Sequence, residues 1–229
     1  MIFGGLQKFS LIDYPGKTCA ILFTVGCNFR CPYCHNPELI SLNNDTVVIE
    51  EKGILKFLEN RIGKLDAVSI TGGEPTLHKD LLSFMKKLKD MGFLIKLDSN
   101  GTRPLVLQKA LDEKLVDYLA MDVKAPLDKY EKVTIKPINV EDIKKSIDII
   151  KNSGIDHEFR TTVVRSLLSK DDILKIGETI AGAKRYYLQK FIATKTNDPK
   201  YLKETTYSDE ELEELRTKIA KKVKICKVR

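Results

Sequence analysis

The sequence predicts an α/β fold in which parallel strands alternate with helices and close only part-way into a barrel. Three observations predict it. Short apolar, β-rich runs recur along the chain, helical patterns separate the later ones, and polar motifs repeatedly follow the strand runs. Repeated strand–helix units imply parallel strands joined by right-handed crossovers. About six such units occur, too few for the closed eight-stranded barrel, so a partial barrel or an open sheet is expected.

The strand runs are, in order, "CAILFTV" (19–25), "AVSIT" (67–71), "FLIKLD" (93–98), "DYLAMDV" (117–123), "HEFRTTVV" (157–164) and "YYLQKF" (186–191), with "VKICKV" (223–228) as a candidate edge strand. In 79–91, Leu81, Met85 and Leu88 fall on one helical face, as do Val140, Ile143, Ile147 and Ile150 in 140–151. Ser208 and Glu211 form a capping-box pattern ahead of Leu212, Leu215 and Ile219. No linker, repeat or low-complexity segment breaks the 229 residues, so a single domain over 1–229 is expected.

A chain of this length buries enough surface to fold without a disulfide or metal staple, so a metal here would be functional. The N-terminal residues carry no export-signal pattern, and no run approaches the roughly 18 apolar residues of a membrane span. A cytoplasmic location, with thiols kept reduced, is the expectation. The net charge of +7 comes mostly from lysines on helical faces, which read as solvated surface or as attraction for an acidic partner protein. No RNA-binding signature and no Trp are present, so nucleic acid is not expected as a partner.

In parallel α/β folds chemistry gathers at the C-terminal ends of the strands. "GCNFRCPYC" follows the first strand run, "GGEP" the second, "DSNG" ends the third and "MDVK" the fourth. Cys27, Cys31 and Cys34 are spaced as one face of a helix, but Pro32 argues for a loop on which three thiols can converge. "CPYC" alone matches a dithiol redox pair, which leaves Cys27 unexplained, and "CPYCH" matches a c-type haem attachment, which normally follows export. A structural zinc would want His35 or His78 as fourth ligand. A 4Fe–4S cluster on three thiolates would keep one iron open for substrate. Cys19 and Cys226 lie in strand runs and read as buried core thiols.

These motifs resemble the radical S-adenosylmethionine (SAM) superfamily: C-x-x-x-C-x-x-C with the aromatic Tyr33 before the last cysteine, and "GGEP" (72–75) after the next strand. Within it the chain is similar to the glycyl-radical-enzyme activating proteins, in particular those of anaerobic ribonucleoside-triphosphate reductase, which are related to pyruvate formate-lyase activating enzyme. "GLQKFSLIDYPGK" (5–17), "TGGEPTL" (71–77), "LDSNG" (97–101) and "MDVKAP" (121–126) carry that likeness, which runs from residue 4 to about 191. The resemblance implies a partial (β/α)6 barrel of the radical SAM type. It implies that Cys27, Cys31 and Cys34 hold the catalytic 4Fe–4S cluster, with SAM chelating the open iron. Gly72, Gly73 and Glu74 would receive the methionyl amine. Asn100, with Ser99 beside it, would lie by the ribose or methionyl portion. Lys124, and less directly Arg160, would face the SAM carboxylate, and Tyr33 and Gln189 would border the adenosine.

The likeness also implies a monovalent cation site from Asp98, Ser99 and Asp122, because two carboxylates near a cluster need a compensating charge. The alternative is that Asp98 caps the following turn. A side chain at Gly73 is expected to spare the cluster while abolishing SAM binding. The implied reaction is reductive cleavage of SAM to a 5′-deoxyadenosyl radical, which takes hydrogen from a glycine of a partner glycyl radical enzyme. A flavodoxin- or ferredoxin-type protein would donate the electron. The chain has "DYPG" where pyruvate formate-lyase activases have "DGPG", and lacks their histidine in the sixth strand region, which leaves the target open. The alternative within the superfamily is an enzyme of a small molecule or tRNA-pathway precursor, similar to 7-carboxy-7-deazaguanine synthase.

Overall fold

The computed structural model describes residues 1–43 and 46–229. The chain divides into two compact units that interleave along the sequence: Met1–Asn28, Glu38–Ser99 and Leu105–Leu119 in the first, Phe29–Pro37, Asn100–Pro104 and Ala120–Arg229 in the second. Neither is one continuous stretch of chain.

In the first unit β1 (Phe3–Ser10) pairs antiparallel with β2 (Cys19–Thr24). β2 then pairs parallel with β3 (Ala67–Gly72), in unbroken register from Cys19↔Ala67 to Thr24↔Gly72, and β3 pairs parallel with β4 (Leu94–Ser99). Most residues of these three strands are buried whichever way they point, as expected where both faces of a parallel sheet are covered. Helix α1 (Glu51–Glu59) contributes Ile54 and Leu58 to the cover, and α2 (Leu81–Asp90) contributes Leu81, Phe84, Met85 and Leu88. α3 (Pro104–Asp112) and the start of β5 (Tyr118–Asp122) follow. Because β2, β3 and β4 run in parallel and in register, the segments that follow them all leave one end of the sheet.

In the second unit come the end of β5, the short α4 (Tyr130–Thr134), α5 (Val140–Asn152), β6 (Asp156–Val163), α6 (Lys170–Thr179), β7 (Arg185–Lys190), α7 (Asp209–Ile219) and β8 (Ile225–Val228). β6, β7 and β8 pair in parallel, from Phe159↔Tyr186 to Val163↔Lys190 and from Arg185↔Ile225 to Leu188↔Val228. The expected apolar stripe of α5 is buried at Ile143, Ile147 and Ile150, with Val140 half-buried at its start. The expected capping box of α7 forms: Ser208 accepts from the Glu211 amide, and Glu211 accepts from the Ser208 amide. α6 starts the same way on Ser169 and Asp172.

All six expected strands are present among the described residues, and "VKICKV" supplies β8. The strand that periodicity missed is β1, whose two adjacent glycines weaken any β signal. A Cβ on Gly4 would lie 2.6 Å from the Leu39 side chain and 2.8 Å from that of Val25, so the close packing of neighbours explains the glycine. No helix among the described residues is long and apolar enough to cross a membrane.

Replacing Ser208 by Ala removes one side of the α7 cap and is expected to lower stability by about 1 kcal/mol, measured by urea unfolding. A change below roughly 0.3 kcal/mol would contradict the cap's role.

Candidate active site

In the first unit the turn after β3 is laced to the chain that follows β2. Gly73 N–H donates to Thr24 O at 2.8 Å, Glu74 N–H to Gly26 O at 2.7 Å, and Cys27 N–H to Ile40 O at 2.9 Å. Gly72 takes φ +109°, open to glycine alone at no cost. At Gly73 a Cβ would lie 2.2 Å from Gly26 O and 3.0 Å from Leu39 O, all of it backbone. This revises the expectation for a side chain at Gly73. Such a side chain would push directly on the strand end that carries Cys27, so it would disturb the cluster loop together with the GGEP turn.

Glu74 is 1% exposed. Its carboxylate accepts from the Thr76 amide at 3.1 Å, from the Thr76 hydroxyl, and from the Ser99 hydroxyl at 3.0 Å. Glu74 is thereby the N-cap of a single helical turn over Pro75–Leu77. Thr76 was not singled out from the sequence, although an acidic residue followed by proline and a hydroxyl residue is a capping pattern. Asp98 accepts from Lys96 Nζ at 2.6 Å and from the Thr71 hydroxyl at 3.1 Å.

The second unit holds the rest. The turn after Asp98 is capped by Asn100, whose Oδ1 accepts from the Thr102 amide at 3.1 Å and the Thr102 hydroxyl at 2.8 Å. Asn100 thus takes a capping role in this turn.

The loop of Cys31 and Cys34 is not helical, as Pro32 foretold. It is clamped from two sides: Arg30 N–H donates to Thr134 O at 2.9 Å, and Asp198 N–H donates to Pro32 O at 2.9 Å. Phe29 meets the Tyr130 ring edge-on, and Tyr33 meets Phe191 in the same way. No disulfide joins any of the five cysteines; Cys31, Cys19 and Cys226 are buried, and Cys27 and Cys34 are half-buried. Burial pushes the Cys31 thiol up to about 11, against the opposing pull of the Lys124 ammonium. Burial likewise raises the Tyr33 hydroxyl well above its ordinary range. That hydroxyl has no hydrogen-bond partner, a state that costs free energy unless a bound molecule relieves it.

Beside this loop lies a charge cluster on β5 and β6. Arg160 Nε donates to Asp122 Oδ1 at 2.8 Å and Lys124 Nζ to Asp122 Oδ2 at 3.0 Å. Burial alone would raise the Asp122 carboxyl, but Arg160 and Lys124 outweigh it and hold it well below the usual range. Burial opposes the Lys124 charge too, and Asp122 outweighs that opposition. Glu158, 2% exposed, lies 3.8 Å from Arg160 and 3.4 Å from Arg229. Lys124 and Arg160 thus share Asp122, and Arg160 and Arg229 share Glu158. Lys124 and Arg160, expected to face a carboxylate of SAM, are both held on Asp122. Gln189 pairs in register with Thr162, two residues along from the Arg160↔Tyr187 pair, so it shares a sheet face with Arg160. Glu158 escaped the sequence reading although it stands two residues from Arg160 on the same strand.

The zinc alternative loses its fourth ligand. His35 stacks on Phe191 with Nε2 2.9 Å from Ile192 O, and His78 Nε2 lies 3.0 Å from Val25 O. Among the described residues no group of three or more His, Cys, Asp or Glu is placed to hold a single metal ion. A four-iron cluster makes a different demand, because each thiolate takes its own iron. Both carboxylates of the expected cation site have cationic neighbours, Lys96 beside Asp98 and Arg160 and Lys124 beside Asp122.

The sequence pattern of the Radical SAM superfamily matches residues 21–180, which span both the cysteine loop and the charge cluster. The chain belongs to the radical SAM superfamily. A Methanocaldococcus jannaschii protein named as a candidate glycyl-radical enzyme activating enzyme is 38% identical over 225 residues, covering 95% of this chain and 91% of that one. The pyruvate formate-lyase-activating enzyme of Streptococcus mutans is 28% identical over 188 residues, covering 76% and 70%. The first of these places the chain in the family of glycyl-radical enzyme activating enzymes. Among solved structures, Streptococcus suis SuiB bound to S-adenosylmethionine superposes with TM-score 0.65 at 14% identity, over 91% of this chain and 51% of that one, a likeness of fold. The fold is therefore the α/β partial barrel of the radical SAM type, and the family's cofactors are a 4Fe–4S cluster and SAM. The residues present fit them: three thiols outside any disulfide within eight positions, and an orphaned buried hydroxyl between two of the three in sequence.

In the metal-free protein iodoacetamide at pH 8 is expected to modify Cys27 and Cys34 well before Cys31, read by quenched labelling and mass spectrometry. Raising the pH towards 11 should bring Cys31 forward as its thiolate forms. Equal rates at pH 8 would contradict the buried, protonated thiol.

Proposed function

We propose that the protein is a glycyl-radical-enzyme activase whose partner is an anaerobic ribonucleotide reductase. The observation that carries the activase reading is the 38% identity over nearly the whole of both chains to the Methanocaldococcus jannaschii relative. The ribonucleotide reductase is favoured by the motif likeness of "GLQKFSLIDYPGK" and "MDVKAP". With both cofactors bound, the cluster would supply the electron for reductive cleavage of SAM, and the radical chemistry so made available would remove a Cα hydrogen from a glycine of the partner.

The chain's own residues bind and orient. Cys27, Cys31 and Cys34 would hold the cluster through their thiolates. The carbonyls of the Gly72–Gly73–Glu74 turn would receive the methionyl amine. Glu74 itself, already carrying three donated hydrogen bonds, keeps that turn in shape. Lys124 or Arg160 would turn from Asp122 to meet the carboxylate, since both are held there on one carboxylate that either alone could keep paired. The Tyr33 hydroxyl, orphaned in the protein alone, gains its partner from the bound nucleoside, with Gln189 on the neighbouring sheet face. Ser99 and Asn100 act through the turns that they pin. A flavodoxin- or ferredoxin-type protein supplies the electron, and the net charge of +7 favours its acidic surface.

Cys31→Ala is expected to lose the cluster after anaerobic reconstitution, measured as iron and sulfide per chain, whereas Cys19→Ala retains it. Full iron content in Cys31→Ala would sink the ligand assignment.

The target is tested by mixing the reduced, SAM-loaded protein with glycyl radical enzymes of its source organism and recording EPR. A carbon-centred doublet that disappears when the target glycine becomes alanine supports the proposal. Silence with every enzyme, together with SAM cleavage driven by a small heterocycle, would favour the small-molecule alternative.

A further inference from the structure

Lys96 stands in the middle of β4, where a parallel strand ordinarily places an apolar residue, and it is 1% exposed. Its ammonium lies 2.6 Å from Asp98 Oδ1, 3.1 Å from Asp13 Oδ2 and 3.5 Å from Ser69 Oγ. Ser69 pairs in register with Lys96, and Asp98 follows two residues on, so all three side chains share one face of the sheet. Asp13 comes from the turn between β1 and β2.

A buried ion pair of this kind rarely stabilises a fold more than well-packed apolar side chains would, so stability alone does not account for a lysine here. What it does is local. It fixes one oxygen of Asp98 while the Thr71 hydroxyl fixes the other. Asp98 is followed by Ser99, whose hydroxyl holds the Glu74 carboxylate of the GGEP turn. Lys96 therefore anchors the end of β4 on which the GGEP turn depends, and it sets its positive charge between Asp98 and Asp13.

We propose that Lys96 is a positioning residue for SAM, a built-in cation that takes the charge-compensating place beside Asp98 that a monovalent metal ion would otherwise fill. The proposal rests on the reading above that SAM binds at the ends of β3 and β4. It makes SAM affinity in the wild-type protein independent of potassium or sodium.

The test is anaerobic titration calorimetry of SAM binding to the cluster-loaded protein in potassium chloride and in choline chloride. Wild type is expected to bind equally, within about twofold, in both salts. Lys96→Ala is expected to bind roughly tenfold to a hundredfold more weakly in choline chloride, as for loss of a charge-assisted hydrogen bond. Potassium, ammonium or methylammonium, entering the space left by the side chain, should restore much of that loss. The exposed Lys86→Met serves as control and should match wild type. Should Lys96→Ala fail to fold by circular dichroism, the charge-balanced pair Lys96→Ala with Asp13→Asn replaces it, with the same weakening and the same cation rescue expected. Wild-type affinity in either variant in choline chloride overturns the proposal, as does a wild-type protein that requires potassium. A weakened variant that no cation rescues also overturns it, because the role is then packing. A wild-type protein that binds no SAM in either salt overturns the functional reading, and this proposal falls with it.

Discussion

The tightest constraint in the molecule is the approach of Gly73 to the Gly26 carbonyl. There is no space there for even one carbon atom, and the backbone hydrogen bonds around it allow neither segment to retreat. The end of β2 and the end of β3 are thereby fixed to each other, one leading straight into Cys27 and the other into Glu74. The motif is conventionally pictured as a set of groups offered to a ligand. Here its first task is mechanical, since it sets where the cysteine loop departs from the sheet.

Charge is buried in this protein at a cost that apolar residues would not incur. Glu74, Lys96 and Glu158 are almost inaccessible to water, yet each has hydrogen-bonding or ionic partners within the chain. The two clusters are built in opposite ways. Around Lys96 two carboxylates share one ammonium, whereas around Asp122 two cations share one carboxylate.

Much of the fold could be read from the sequence because its signals are local. Pro32 forbids a helix through the cysteines, Ser208 and Glu211 cap α7 within four residues, and the apolar stripes of α2 and α5 repeat every turn. β1 could not be read, because Gly4 is there for the side chains of Leu39 and Val25, which are distant in sequence. The candidate site divides in the same way. The motif residues announce themselves, but the partners of the charges do not. "LIKLD" shows a lysine out of place without showing that Asp13 reaches it, and "HEFR" shows Glu158 beside Arg160 without showing Arg229.

The loop of residues 29–37 belongs with chain that lies far downstream, clamped at Arg30 by Thr134 and at Pro32 by Asp198. On the ribosome it is therefore made early and packed late. Until the last part of the chain has emerged, Cys31 lacks the cover that makes it inert, and its sulfur stays open to oxidation and to wrong metals. Loading of iron and sulfide before that moment would meet an unformed seat. Maturation of this protein is thus a matter of timing as much as of chemistry, and exclusion of oxygen would protect the nascent chain as well as the finished protein.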